Sequence, residues 1–296
     1  MKKVVFLKGI FAILLLVVSC EYPIKVKVKN AEPLLAVDGW INNQDNTQII
    51  RLTSTLPYFQ NTPAPALGGA TVKVLEFDAN NTLLNTYTFQ QVSNGNYEAN
   101  FKGEIGRKYQ LQLTYQGENF VAETWLKRVP PIDSMNSEYR KARLGQPKGY
   151  YVNVFGRDIP GIGDFYRFRV WRNGVMFNRP ENLTIMSDQN IDGLPFIPPI
   201  RISFNPFFDS NGLEPYKVGD VVRAEVLSID ENAFRFFEQL SIQVNNSGLF
   251  ARPIANVPTN VQNTNPRGKK AVGYFYASAV SSREITIQKD SKEDEP

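Results

Sequence analysis

Apolar and polar positions alternate with period two in short runs along most of this chain, and turn residues separate the runs. Leu35, Val37, Gly39 and Ile41 share one face of the first run, and Ala36, Asp38 and Trp40 share the other. Asn42 to Asn46 reads as a turn and Gln48 to Thr53 as the returning strand. A proline-rich loop over 56–65 follows, and Gly68-Gly69 opens the next strand, Ala70 to Val74. Asn80-Asn81 and Asn94-Gly95 are hairpin-type turns flanking Leu83 to Gln91. The cleanest alternation puts Tyr109, Leu111, Leu113 and Tyr115 inward and Gln110, Gln112 and Thr114 outward; Phe120 to Lys127 then returns. Seven short strands within residues 34–128 predict a sandwich of the immunoglobulin-like or transthyretin-like kind.

Val129-Pro-Pro-Ile-Asp-Ser134 interrupts the pattern, because consecutive prolines remove ladder donors and block a helix. It sets the expected boundary of a second strand-rich β domain over 129–290. Strands are expected at Tyr150–Phe155, Phe165–Arg172, Leu183–Met186, Ile200–Phe204 and Val221–Ile229, and a long closing strand at Ala271–Ile287. Between the last two, Asp230 is placed to cap a helix from Glu231 to about Val244. Its apolar face is Ala233, Phe234, Phe237, Leu240, Ile242 and Val244. The chain therefore reads as mainly β with one helix, ending in a solvated tail over 291–296.

The first nineteen residues follow another logic. Lys2, Lys3 and Lys8 precede the apolar run Gly9 to Val18, which ends at Ser19-Cys20. A basic start, a short apolar core and a small residue at the cut make an export signal over 1–19. The run is half the roughly 20 apolar residues a membrane-spanning helix needs. Val17-Val18-Ser19-Cys20 resembles the lipobox of bacterial lipoproteins, in which the cysteine is lipidated and becomes the first mature residue. Residues 20–33 then read as a lipidated tether, through which Cys20 holds the protein to a membrane. Glu21 is the only acidic residue directly after that cysteine, before Lys25, Lys27 and Lys29, so the pattern does not point to surface export.

Composition narrows the chemistry further. The whole chain has 33 basic and 29 acidic residues, and cleavage at Cys20 removes three lysines. The nearly neutral mature chain gives no argument for nucleic acid. It has no histidine, and Cys20 is its one cysteine. The usual general base, the usual nucleophile–base pairs and the usual zinc ligands are thus missing. Catalytic residues are not expected, nor is a cofactor.

Two patterns are candidate sites. Asp188-Gln-Asn-Ile-Asp-Gly193 matches the first half of an EF-hand loop, with Asp188, Asn190 and Asp192 as oxygen donors. Pro199 stands where the bidentate glutamate belongs, so the loop reads as a polar turn without a tight metal site. The second pattern is aromatic residues among prolines and turn residues: Phe207, Phe208 and Tyr216 in one loop, Tyr58 and Phe59 in another. Rigid aromatic loops suit a sugar or a protein partner, though folding back to plug the end of a sandwich is the more ordinary use of such side chains.

Several stretches together resemble the Bacteroidetes lipoproteins of the family called domain of unknown function 4249 (DUF4249). They are the lipobox, Leu35-Ala-Val-Asp-Gly-Trp-Ile41, Gly69-Ala-Thr-Val-Lys-Val74, Val129-Pro-Pro-Ile-Asp133, Glu231-Asn-Ala-Phe-Arg-Phe-Phe237 and Val272-Gly-Tyr-Phe275. The resemblance implies a two-domain β-protein of the outer membrane. It also implies an accessory role beside TonB-dependent transporters, and brings no catalytic residues. The expectation is a non-catalytic outer-membrane lipoprotein that binds a protein or ligand. The alternatives are a carbohydrate-active enzyme using two carboxylates and a structural envelope protein.

Overall fold

Alternating side chains set the strands, and long-range pairing sets how they assemble. The computed structural model describes residues 32–57, 60, 62–143, 146–179, 182–197, 200–205, 214–244 and 257–293. In chain order the first strands are β1 (Leu35–Asn42), β2 (Asn46–Ser54), β3 (Thr71–Phe77), β4 (Leu83–Ser93), β5 (Asn96–Phe101), β6 (Lys108–Tyr115) and β7 (Glu118–Trp125). There follow β8 (Ile132–Arg140), β9 (Gly149–Gly156), β10 (Phe165–Arg172), β11 (Val175–Met176), β12 (Thr184–Ser187) and β13 (Val221–Ile229). The helix α1 (Glu231–Val244) precedes β14 (Gln262–Asn263), β15 (Ala271–Ser278) and β16 (Val280–Thr286). The fold is mainly β, with one α-helix among the described residues. No helix of the described residues is long and apolar enough to cross a membrane.

The first sheet runs β14-β7-β6-β3-β4-β5-β2-β1-β15 and is nearly closed, like a barrel. β4 is the corner: its first part pairs with β3 and its last part, from Gln90, with β5. The sheet folds over along this strand, so Leu111 and Val74 from one layer meet Ile50 and Val37 from the other in a single core. The alternation read from β1 and β6 holds: Val37, Ile41, Tyr109, Leu111 and Leu113 are all buried.

The expected closing strand over 271–287 is instead two strands. β15 pairs in parallel with β1, whereas β16 pairs with β13 in the second sheet. Apolar and small residues run almost unbroken through this stretch, so patterning alone does not reveal the change of sheet. Ser228 fixes the crossing: its backbone N–H donates to Ala279 O, and its hydroxyl accepts from Ala279 N–H and donates to Lys127 O.

The second sheet runs β11-β10-β13-β16, with β12 also on β10, and β8 and β9 form a separate hairpin. Tyr166, Phe168 and Val170 of β10 pack with Val222, Ala224 and Val226 of β13 against Val152 and Val154 of β9. The opposite face of β10 carries Arg167, Arg169 and Trp171. Arg169 lies over the rings of Trp40 (4.1 Å) and Trp171 (5.1 Å), and its charge is met by Glu225 at 2.6 Å. The strand expected at Ile200–Phe204 is a 3-10 turn at Ile200–Ile202. Ile200 and Phe204 are nonetheless buried, because the turn folds their side chains into the second core.

α1 begins where the sequence places it. Asp230 Oδ1 accepts the Ala233 N–H at 2.7 Å, satisfying one of the free amides of the first turn. Ala233 and Phe237 pack with Tyr274 and Tyr276 of β15, and Phe234 meets Phe165.

Candidate functional site

Tyr216 is the one aromatic candidate among the described residues; Phe207, Phe208, Tyr58 and Phe59 lie outside them, as does Cys20. Its ring lies in the core, not on an exposed loop tip. The residue is 1% exposed and its hydroxyl donates to Phe204 O at 2.7 Å. Its backbone exchanges hydrogen bonds with Tyr150, and burial raises its hydroxyl pKa well above the ordinary range. The ring plugs the core, because an isolated β-bridge to β9 draws the segment inward.

Tyr216 and Tyr150 instead form the floor of an open cleft of about 660 Å³. The exposed Lys148, Glu214 and Lys217 and the side chain of Glu293 stand at its rim. The Pro215 ring packs directly on Gly149, where a Cβ would stand 2.4 Å from it. Tyr150 donates to Glu293 Oε2 at 2.7 Å, so the start of the expected solvated tail, though exposed, is bonded to the rim. Lys217 and Glu214 pair at 2.6 Å on the surface.

A second site lies at the other end of β10. The loop before β10 (157–164) and the loop after β12 (188–193) meet because β12 pairs antiparallel with β10, setting Phe165 opposite Ser187. Asp188 N–H donates to Asp164 O at 3.0 Å, extending the pairing into the loops. This brings Asp158 beside Asp188 and Asp192, with one carboxylate oxygen from each within 4.8 Å of the others. Asp158 and Asp188 are each 1% exposed, while Asp192 and Asn190 are at the surface.

Backbone amides position these acids. Gly193 N–H donates to Asp158 Oδ2 at 3.0 Å, and Gly161 N–H to Asp192 Oδ1 at 2.6 Å. Gly163 and Asp164 N–H both donate to Asp188 Oδ2, at 2.8 and 3.0 Å. Gly161 and Gly163 take φ of +114° and +116°, which turns their amides toward the acids in a conformation glycine adopts without strain. Tyr166 donates to Asp158 Oδ1; burial first, then this carboxylate, raises its hydroxyl pKa far above the usual value. Arg128 closes the side of the site, bonding Asp164 Oδ2 and the carbonyls of Ile159, Pro160 and Gly161.

The sequence pattern found Asp188 and Asp192 but not Asp158. The visible signal was a second Asp-rich turn, Asp158-Ile-Pro-Gly-Ile-Gly-Asp164, and only the β10–β12 pairing makes the two turns neighbours.

Fold and site thus define a mainly β protein whose loops gather carboxylates at one end of the second sheet. The family model described as "Domain of unknown function (DUF4249)" matches residues 21–284, and the chain belongs to that family. No curated protein matches the sequence.

Proposed function

We propose that this protein is a lipid-anchored accessory of an outer-membrane, TonB-dependent uptake system, binding a protein or ligand without catalysing a reaction. The open cleft over Tyr150 and Tyr216 is the observation that carries the binding role. Its volume lies within the range of ordinary ligand sites, and its rim offers two lysines and two glutamates to a polar partner. None of the rim groups is a usual nucleophile–base pair, since the chain has no histidine and its single cysteine is Cys20. The lipobox-like Val17 to Cys20 supports the anchor, and the DUF4249 resemblance supports a place beside a transporter.

The test is affinity purification of the native lipoprotein from solubilised membranes, with mass spectrometry of what accompanies it. A TonB-dependent transporter should be enriched over an unrelated lipoprotein, and Lys148→Glu with Lys217→Glu should deplete it. Equal recovery with the reversed rim rejects the cleft as the binding surface. No enrichment of any such transporter rejects the accessory role.

A further inference from the structure

We propose that Asp158, Asp188 and Asp192 together bind one calcium ion between the loop before β10 and the loop after β12. The proposal starts from an imbalance of charge. Two carboxylates, each 1% exposed, share a site with a third, and their oxygens lie within 4.8 Å of one another. Burying an ionised carboxylate is costly unless a cation or several hydrogen bonds compensate. Arg128 is the cation bonded to a carboxylate here among the described residues, and that carboxylate is Asp164.

The second observation is a single atom. Asp188 Oδ1 is buried and has no hydrogen-bond partner, although Oδ2 of the same carboxylate accepts two amides. Buried carboxylate oxygens ordinarily find a donor. An oxygen held in place by its sibling's hydrogen bonds and left without a donor is suited to a metal ion, which needs a lone pair and no proton. Asp192 follows a similar plan: one oxygen is pinned by Gly161 N–H, and no hydrogen bond is seen on the other. Asp158 is pinned by Gly193 N–H, and the Tyr166 hydroxyl fixes its second oxygen. Such bonds behind the ligands orient them before an ion arrives.

The spacing and chemistry favour calcium. Calcium–oxygen distances of about 2.3–2.6 Å allow ligands on opposite sides of one ion to stand roughly 5 Å apart. A group of oxygens within 4.8 Å of one another fits that limit without moving the backbone. Carboxylates suit a hard cation, and magnesium demands a tighter octahedral shell that it prefers to fill with water. Pro199 occupies the position where an EF-hand loop carries its bidentate glutamate. Asp158 supplies a carboxylate from another loop, so the count no longer depends on that position.

The full-length lipoprotein in detergent, stripped with chelator, provides the test. Its thermal midpoint should rise by several degrees in millimolar calcium over chelator, since an ion bound only by the folded state must stabilise it. Terbium should bind with tyrosine-sensitised emission that calcium displaces. Asp188→Asn should abolish both effects. Asp192→Asn, at an exposed position and still able to accept the Gly161 N–H, should keep the fold and weaken calcium binding about tenfold or more. The same midpoint in calcium and chelator, with no displaceable terbium emission, overturns the proposal. A rise undiminished in Asp192→Asn puts the ion elsewhere. An equal rise with magnesium overturns the assignment to calcium.

Discussion

Thr124 donates its hydroxyl hydrogen to Asp230 Oδ2 at 2.7 Å, and the same oxygen of Thr124 accepts the Ala277 N–H at 3.2 Å. One buried hydroxyl on β7 therefore meets both the helix cap and β15, which flanks the open seam of the first sheet. Asn260 supports the same seam, donating to Glu123 O and Phe275 O and accepting from Phe275 N–H. Asp230 in turn uses its other oxygen to cap α1. Seam and helix are thus coupled by residues 106 positions apart in the chain.

That coupling is measurable. Asp230→Ala should cost about 1–2 kcal/mol from the cap, and more from the donor it strands on Thr124. Urea unfolding of Asp230→Ala, Thr124→Val and the double variant should give an interaction energy of at least about 0.5 kcal/mol. Strict additivity would show that the bond does not couple the two elements.

Gly273 makes the parallel pairing of β15 with β1 possible. It has a φ of +88°, and a Cβ there would lie 2.0 Å from Val37 O. Gly273→Ala should therefore be strongly destabilising, because backbone must move. Gly117→Ala is the control: its φ is +79°, but a Cβ would meet nothing within 4 Å. The control should lose only the strain term of about 1–3 kcal/mol. Comparable melting temperatures for the two variants would contradict the pairing.

Tyr216 separates core packing from surface recognition. Tyr216→Ala should lose about 3–5 kcal/mol as a buried ring, whereas Tyr216→Phe should lose about 1 kcal/mol with its hydrogen bond to Phe204 O. A normal melting temperature for Tyr216→Ala would return the ring to the surface.

Acid sensitivity should follow Asp220. Burial pushes its pKa up, but the Lys217 N–H, Arg172 at 2.5 Å and Asn173 together bring it below the ordinary value. A carboxyl depressed on folding stabilises the protein fully above its unfolded pKa of about 4, and loses that contribution as pH falls through the folded value. Melting temperature should drop on acidification below about pH 4, and less steeply in Asp220→Asn. Identical acid profiles would remove Asp220 from the account.

The proposed lipid anchor rests on Cys20. Metabolic labelling with a fatty-acid analogue should mark the wild-type protein and leave Cys20→Ser unmarked. Acyl chains contribute about 0.8 kcal/mol per buried methylene, so the variant should also leave the membrane fraction. Equal labelling of the two proteins would reject the lipobox reading.

What the sequence determined by itself was local. Period-two alternation placed β1, β6 and β10, since a half-buried strand needs apolar side chains on one face only. Asp230 before an amphipathic run placed α1, because capping and periodicity act within a few residues. The sequence did not reveal that residues 271–287 divide between two sheets, since apolar and small residues run from Ala271 to Ser282 across the change and the divider is Ser228, far away in the chain. It did not distinguish a 3-10 turn from a strand at Ile200, where both would bury the same side chain. Tyr216 among turn residues looked like a surface aromatic until its bridge to Tyr150 drew it inward. Asp158 became a neighbour of Asp188 only through the register of β10 on β12. Tertiary structure decided these points because strand pairing joins distant segments, and neither side-chain period nor turn chemistry encodes which segments will pair.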